Sequence, residues 1–166
     1  MRGLEMRLTL HTDYALRLLT SLAVADEGRH TIEYLSRRHG ISRNHLMKVT
    51  RTLALAGFIK GVRGRNGGLE LARPPEEIGV GAVVRACEDN FALAECFDPG
   101  RNRCLLTPAC GLRGPLEDAL AAFFEVLDRY SLADLAARSG RMNDRARALR
   151  RLVFPEAGQA PVGATP

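Results

Sequence analysis

Residues 42–73 read SRNHLMKVTRTLALAGFIKGVRGRNGGLELAR, and this stretch decides the fold. Ser42 suits a helix N-cap, because its short hydroxyl side chain can accept from an unpaired N–H of the first turn. From there the pattern is helical up to Gly57. At 100° per residue Leu46, Val49, Thr50 and Leu53 share one face, Asn44, Lys48 and Arg51 lie opposite, and His45 and Thr52 flank them. One side can pack on a core while the other presents groups that pair with base edges and phosphates in a DNA major groove. The bland alternative is a polar face that simply meets water. After Gly57 the period changes: Phe58 to Val62 and Leu69 to Ala72 are short β-type runs around Arg63-Gly64-Arg65-Asn66-Gly67-Gly68. A two-stranded hairpin with a basic tip is expected. Arg63 and Arg65 suit a minor groove or phosphates, and Gly64, Gly67 and Gly68 permit positive φ and close backbone approach. The expected DNA-contacting set is Ser42, Arg43, Asn44, His45, Lys48, Arg51, Arg63, Arg65, Asn66 and Gly67.

Upstream, Tyr14, Ala15, Leu18, Leu19, Leu22 and Ala23 form one apolar stripe of a helix beginning near Thr12 and ending before Asp26-Glu27-Gly28. A short helix follows, with Thr31 as N-cap and Gly40 just past its end. Helix, glycine turn, helix and basic hairpin together make a winged helix-turn-helix over residues 10–75, closed by Pro74-Pro75. Residues 1–9 are a lead-in.

Downstream, residues 76–140 hold a short helix from Ile78 to Glu88, an irregular segment 89–111, and a long helix with Pro115 at its first position. The long helix carries Leu116, Ala119, Leu120, Phe123, Phe124, Leu127 and Tyr130 on one face. That face could pack on its own chain. We favour a homodimer in which Leu116, Phe123, Leu127 and Tyr130 meet their copies across a two-fold axis, since a small domain cannot readily cover such a stripe. Ser131 and Asp134 form a capping-box-like start to a last helix ending at Gly140. Residues 141–166 read as a basic tail, helical at most to Arg151 and then a poor core former. The expected fold class is mainly α with a small β-hairpin wing: a winged helix-turn-helix plus a long C-terminal dimerisation helix.

With 166 residues, 46% apolar and 26% charged, the chain is neither intrinsically disordered nor large enough for several domains. No apolar run reaches the roughly 18 residues of a spanning helix, and the charged N-terminus does not resemble a secretory leader, so a cytoplasmic protein is expected. Residues 1–74 hold 13 Lys and Arg against 6 Asp and Glu, a net +7, whereas residues 75–166 hold 11 against 13, a net −2. That asymmetry assigns nucleic acid to the first half. No Ser/His/Asp, phosphate-loop or dinucleotide motif is present, and His11, His30, His39 and His45 show no metal spacing, so an enzyme is not expected.

Cys96, Cys104 and Cys110 make C-x7-C-x5-C inside the irregular segment. Thiolates converging from a loop suit an iron–sulfur cluster or zinc, but structural zinc normally has four protein ligands, often in C-x2-C pairs. Free thiols remain the third reading. A fourth ligand that is not a thiolate would leave one iron labile, which suits a sensor better than an electron carrier. Cys87 belongs to the short helix and reads as a small core residue.

The strings MRLTLHTDYALRLL from Met6, SRNHLMKV at 42–49, VRGRNGGLELARP at 62–74 and ECFDPGRNRCLLTPACGL at 95–112 make the chain similar to the bacterial winged-helix iron–sulfur regulators. Within them it resembles the NsrR-type nitric-oxide-sensing repressors over residues 6–139, which also suggests Met6 as the natural start. The resemblance implies a homodimeric repressor binding double-stranded DNA at an inverted repeat. It implies a 4Fe–4S cluster, or a 2Fe–2S one, on Cys96, Cys104 and Cys110, with Asp13 of the partner subunit as fourth ligand. The plainer role for Asp13 is an acid stabilising the N-terminus of its own helix. IscR-type members place a histidine three residues past the last cysteine, where this chain has Arg113. The RirA-type, iron-responsive regulators share the FALAECF string and the C-x7-C spacing and give the alternative function. Nitric oxide as effector, and release of DNA on nitrosylation, follow from the first resemblance.

Overall fold

A computed structural model describes residues 7–25, 29–64 and 67–139. The expectations for the N-terminal extension, for Arg65 and Asn66, and for the tail beyond residue 139 lie outside these residues.

Helix α1 spans Leu10–Ala23 and begins two residues before the expected start. Its cap is Thr9, whose hydroxyl accepts from the Thr12 N–H, while Thr12 itself is fully buried. The apolar spacing located the face of α1, and the hydroxyl spacing decides where it starts. Ala15, Leu18, Leu19 and Leu22 are buried as the stripe requires, with Tyr14 and Ala23 packed partly against the same core.

Strand β1 (Arg29–His30) has no counterpart in the sequence reading. Two residues are too few to show a period, and only pairing with a distant partner defines them. Thr31 then caps α2 (Ile32–His39), and Gly40 ends it at φ 64°. The turn into the next helix is tied by Ser36, whose hydroxyl donates to the Ile41 carbonyl at 2.6 Å and whose own carbonyl receives the Ile41 N–H. Ser42 caps α3 (Arg43–Leu55), accepting from the His45 N–H. Strands β2 (Ile59–Val62) and β3 (Gly68–Leu71) pair antiparallel, and β1 adds to the far side of β3, giving the order β1-β3-β2. The wing is therefore three-stranded rather than a bare hairpin. Of its glycines only Gly64 has positive φ, at 110°. Gly68 serves the other purpose, since a Cβ there would stand 2.9 Å from the His30 carbonyl oxygen of β1.

Helix α4 runs Val80–Cys87, shorter than the expected Ile78–Glu88. Ile78 is instead extended and fully buried, because its carbonyl accepts from Leu132 N and the Val80 N–H donates to Tyr130 O. Helix α5 runs Arg113–Asp128, so Pro115 is its third residue and not its first. The position is tolerated because the first four N–H groups of a helix have no internal partner, and the first bond is Leu116 N to Leu112 O. Residues 132–139 are helical, opened by the reciprocal Ser131–Asp134 box.

The core is built from α1, α2, α3, α4, the wing root (Phe58 and Ile59), Ile78 and Leu132. Helix α5 contributes no buried residue. It is fixed to α4 by Arg85, which makes two 2.7 Å bonds to Asp128 and lies 4.1 Å over the Phe124 ring. Gly81 leaves the room for that pair: a Cβ would overlap the Asp128 carboxylate. Leu116, Leu120, Phe124, Leu127 and Tyr130 are half-buried, so the expected single stripe is split, and Ala119, Ala122, Phe123 and Val126 form a second, exposed apolar line.

Candidate nucleic-acid interface and cysteine loop

Four buried side chains (Leu46, Val49, Thr50 and Leu53) fix α3 to the core, and Asn44, His45, Lys48 and Arg51 are left exposed. Two contacts from the first five residues of α1 seat the helix along its length. The Tyr14 ring lies 6.2 Å from that of His45, and His11 Nε2 is 3.1 Å from Thr52 Oγ1. Arg43 pairs with Glu33 of α2 at 3.1 Å, so its charge is partly engaged within the chain. On the wing, Lys60 and Arg29 both reach Glu70, at 3.1 and 3.7 Å, while Arg63 and Gly64 are exposed at the end of β2. Ser42 is spent on its cap and exposed, and Gly67 is half-buried. The result is a helix and a strand ribbon side by side, with cations outward, the geometry of a groove-reading unit.

The cysteine loop, residues 89–111, is organised by local turns. Cys96 sits within the short turn Glu95–Phe97, and Cys110 ends the turn Thr107–Ala109. Asn102 accepts from the Cys104 N–H at 3.1 Å, and the Thr107 hydroxyl donates to the Cys104 carbonyl at 2.8 Å. The three thiols are free and half-buried. Cys87 is buried, as expected of a core residue, and desolvation, helped by Glu88, pushes its thiol up to about 11. The Arg113 guanidinium is held above its usual range chiefly by the hydrogen bond to Glu117, with Cys96 a smaller influence.

Among the described residues no three His, Cys, Asp or Glu side chains stand together closely enough to hold a metal ion. The donor chemistry nevertheless fits a thiophilic centre: three unpaired sulfurs on one short loop that carries none of the core. Binding one would require the loop to draw its thiols together. Asp13 lies on the first turn of α1 with both carboxylate oxygens on Arg17, at 3.0 and 2.7 Å. The sequence reading missed Glu33, Glu88 and the His11–Thr52 bond, because each acts through a partner ten or more positions away, and it missed Thr9 because a cap on Thr12 does not show in the apolar spacing.

Fold and interface together define a winged-helix transcriptional regulator. A family model described as Rrf2, iron-dependent transcriptional regulator, matches residues 8–138. The chain belongs to the Rrf2 family. It is 46% identical over 131 residues to the HTH-type transcriptional regulator NsrR of Bacillus subtilis (strain 168), covering 78% of this chain and 90% of that one. It is 50% identical over 131 residues to NsrR of Geobacillus kaustophilus, covering 78% and 89%. Among solved structures, oxidised CymR of Staphylococcus aureus superposes with a TM-score of 0.62 at 27% identity, over 79% of this chain and 96% of that one. The similarity to NsrR-type regulators and the mainly α winged-helix fold stand, and the protein is a DNA-binding transcriptional regulator, not an enzyme. No helix among the described residues is long and apolar enough to cross a membrane.

Proposed function

We propose that the chain is a cytoplasmic, homodimeric repressor that grips an inverted-repeat operator through two helix-wing units and releases it when nitric oxide reaches an iron–sulfur cluster on the cysteine loop. The observation that carries this reading is the trio of free thiols, Cys96, Cys104 and Cys110, on a loop that adds nothing to the core. These three would hold the cluster, with Asp13 of the partner subunit as fourth ligand once Arg17 gives it up. A 4Fe–4S or 2Fe–2S cluster held there would supply iron with an affinity for nitric oxide, and Cys96, Cys104, Cys110 and the partner subunit's Asp13 would be the protein ligands that tie it to the chain.

The chain's own residues do the rest. Lys48, Arg51, Arg63 and Arg65 hold phosphates or base edges, while Asn44 and His45 face bases. The exposed line Ala119, Ala122, Phe123 and Val126 on α5 supplies the contact between copies. Of the four side chains first expected there, Leu116, Leu127 and Tyr130 are half-buried within the chain, and Phe123 remains. Specific operators are held about 4–10 kcal/mol more tightly than random DNA, so a modest change in half-site spacing removes most occupancy. Anaerobic purification with visible spectroscopy and native mass spectrometry tests the cluster: a coloured dimer carrying iron and sulfide is expected, and a colourless protein without them overturns it. Following DNA binding while adding nitric oxide or an iron chelator then tests the signal. Release by nitric oxide supports the reading; release by the chelator alone moves it to the RirA-type alternative.

A further inference from the structure

The cysteine loop and the DNA-reading helix share no element, yet a short polar path joins them. Glu88 is the last residue before the loop, placed just past the end of α4. Its Oε1 accepts from the Thr9 N–H at 2.8 Å and from the Thr9 hydroxyl at 3.2 Å, seventy-nine positions away in sequence. Thr9 caps α1, so the carboxylate also stands at the positive end of that helix. Two residues further on, His11 meets Thr52 of α3, and Tyr14 lies against His45. The first turn of α1 is thus a saddle for the recognition helix, one end of it held by the residue that roots the loop.

We propose that Glu88 is a positioning residue that couples the cysteine loop to the recognition helix, by fixing the first turn of α1 through Thr9 and thereby the seat of α3 at Thr52. A displaced loop pulls Glu88 from Thr9, loosens the α1 cap and lets α3 shift on its saddle. The inference rests on reading the loop as the regulated element, but it needs neither cluster nor operator.

The test is nitrogen-15 NMR of the full chain before and after alkylation of the loop thiols with N-ethylmaleimide, to which buried Cys87 is the poorest target. In the wild-type protein the amide signals of Thr9, His11 and Thr52 move together on alkylation. In Glu88→Ala, which deletes the acceptor, the Thr52 response falls by more than half. Glu88→Gln keeps an acceptor oxygen and restores it, which a loss of general stability would not do. The proposal is overturned if Thr52 is silent in the wild type, if Glu88→Ala responds as the wild type does, or if Glu88→Gln fails to restore what alanine removes. Because alkylation replaces cluster and gas, failure here leaves the cluster reading standing, and a chain that binds no cluster leaves this test intact.

Discussion

The winged half and the cysteine-loop half are built on different physical terms. In the first, Leu18, Leu19, Leu35, Leu46 and Leu53 are at most 1% exposed, and every helix has an apolar face committed to one core. In the second, residues 89–128 contribute no buried side chain, Leu105 is 94% and Leu106 70% exposed, and order comes from turn hydrogen bonds and one α4–α5 clamp. A half held by packing keeps its internal shape, whereas contacts that are exchangeable and polar can be rearranged by a ligand. The winged half is packed as one unit, the Thr9 and His11 contacts at its α1–α3 seat are polar, and the cysteine-loop half is held by polar contacts almost throughout.

The two halves should differ most in what a side-chain truncation costs them. Leu53→Ala should cost about 2–5 kcal/mol of unfolding free energy by denaturant titration, through lost burial and a cavity. Leu105→Ala should change stability by no more than about 0.5 kcal/mol. Equal effects would mean the loop packs as firmly as the winged unit. Next in size is a glycine pair. Gly68→Ala drives a Cβ to 2.9 Å from the His30 carbonyl and should cost about 1–3 kcal/mol by overpacking, while Gly111→Ala, with nothing within 4 Å, should be near neutral in the same titration.

How far these features could be read from sequence follows the range of the interactions. Thr31, Gly40, Ser42 and the Ser131–Asp134 box act on backbone within a few residues, so the local string was enough to place them. The buried face of α3 followed from period alone. What failed were contacts between distant partners: β1 on β3, Ile78 bridging to Leu132, and Glu88 on Thr9. The start of α1 was misplaced because apolar spacing reports a face, not a cap. The start of α5 was misplaced because Pro115 fits any of the first helical positions. The exposed polar side chains of α3 and the three loop thiols were legible as residue types, but how near the sulfurs stand to one another is a tertiary property that spacing does not encode.

Smaller effects sharpen the same contrast. Lys48→Ala should weaken DNA binding across sequences and lower the salt-dependence slope by about 1, read by fluorescence anisotropy at several ionic strengths. Arg101→Ala on the loop should leave the slope unchanged. The smallest difference is in pH. Burial, then the Arg38 charge, depresses His30 below 6.5, and burial, Arg38 and Arg17 depress His39, which bonds Ser21 at 2.8 Å. Both favour the neutral ring in the fold, so their contribution is whole above pH 6.5 and is lost as pH falls below it through the folded values. At the α4–α5 clamp, the hydrogen bond and charge of Arg85 hold Asp128 below 3.8, so that contact weakens only at still lower pH. Melting temperatures from pH 7.5 to 5 should fall slightly in the wild type and less in a His30→Gln, His39→Gln double variant, with Asp128→Asn leaving this slope unaltered.

The most direct measurement is the affinity of anaerobically purified, cluster-loaded protein for a duplex selected from a random library, before and after nitric oxide, beside Cys96→Ser, Cys104→Ser and Cys110→Ser proteins. The wild type should lose about tenfold or more in affinity on exposure to the gas, equivalent to about 1.4 kcal/mol, and the serine variants should show no such response. If the serine variants switch as fully as the wild type, the loop thiols are not the sensor.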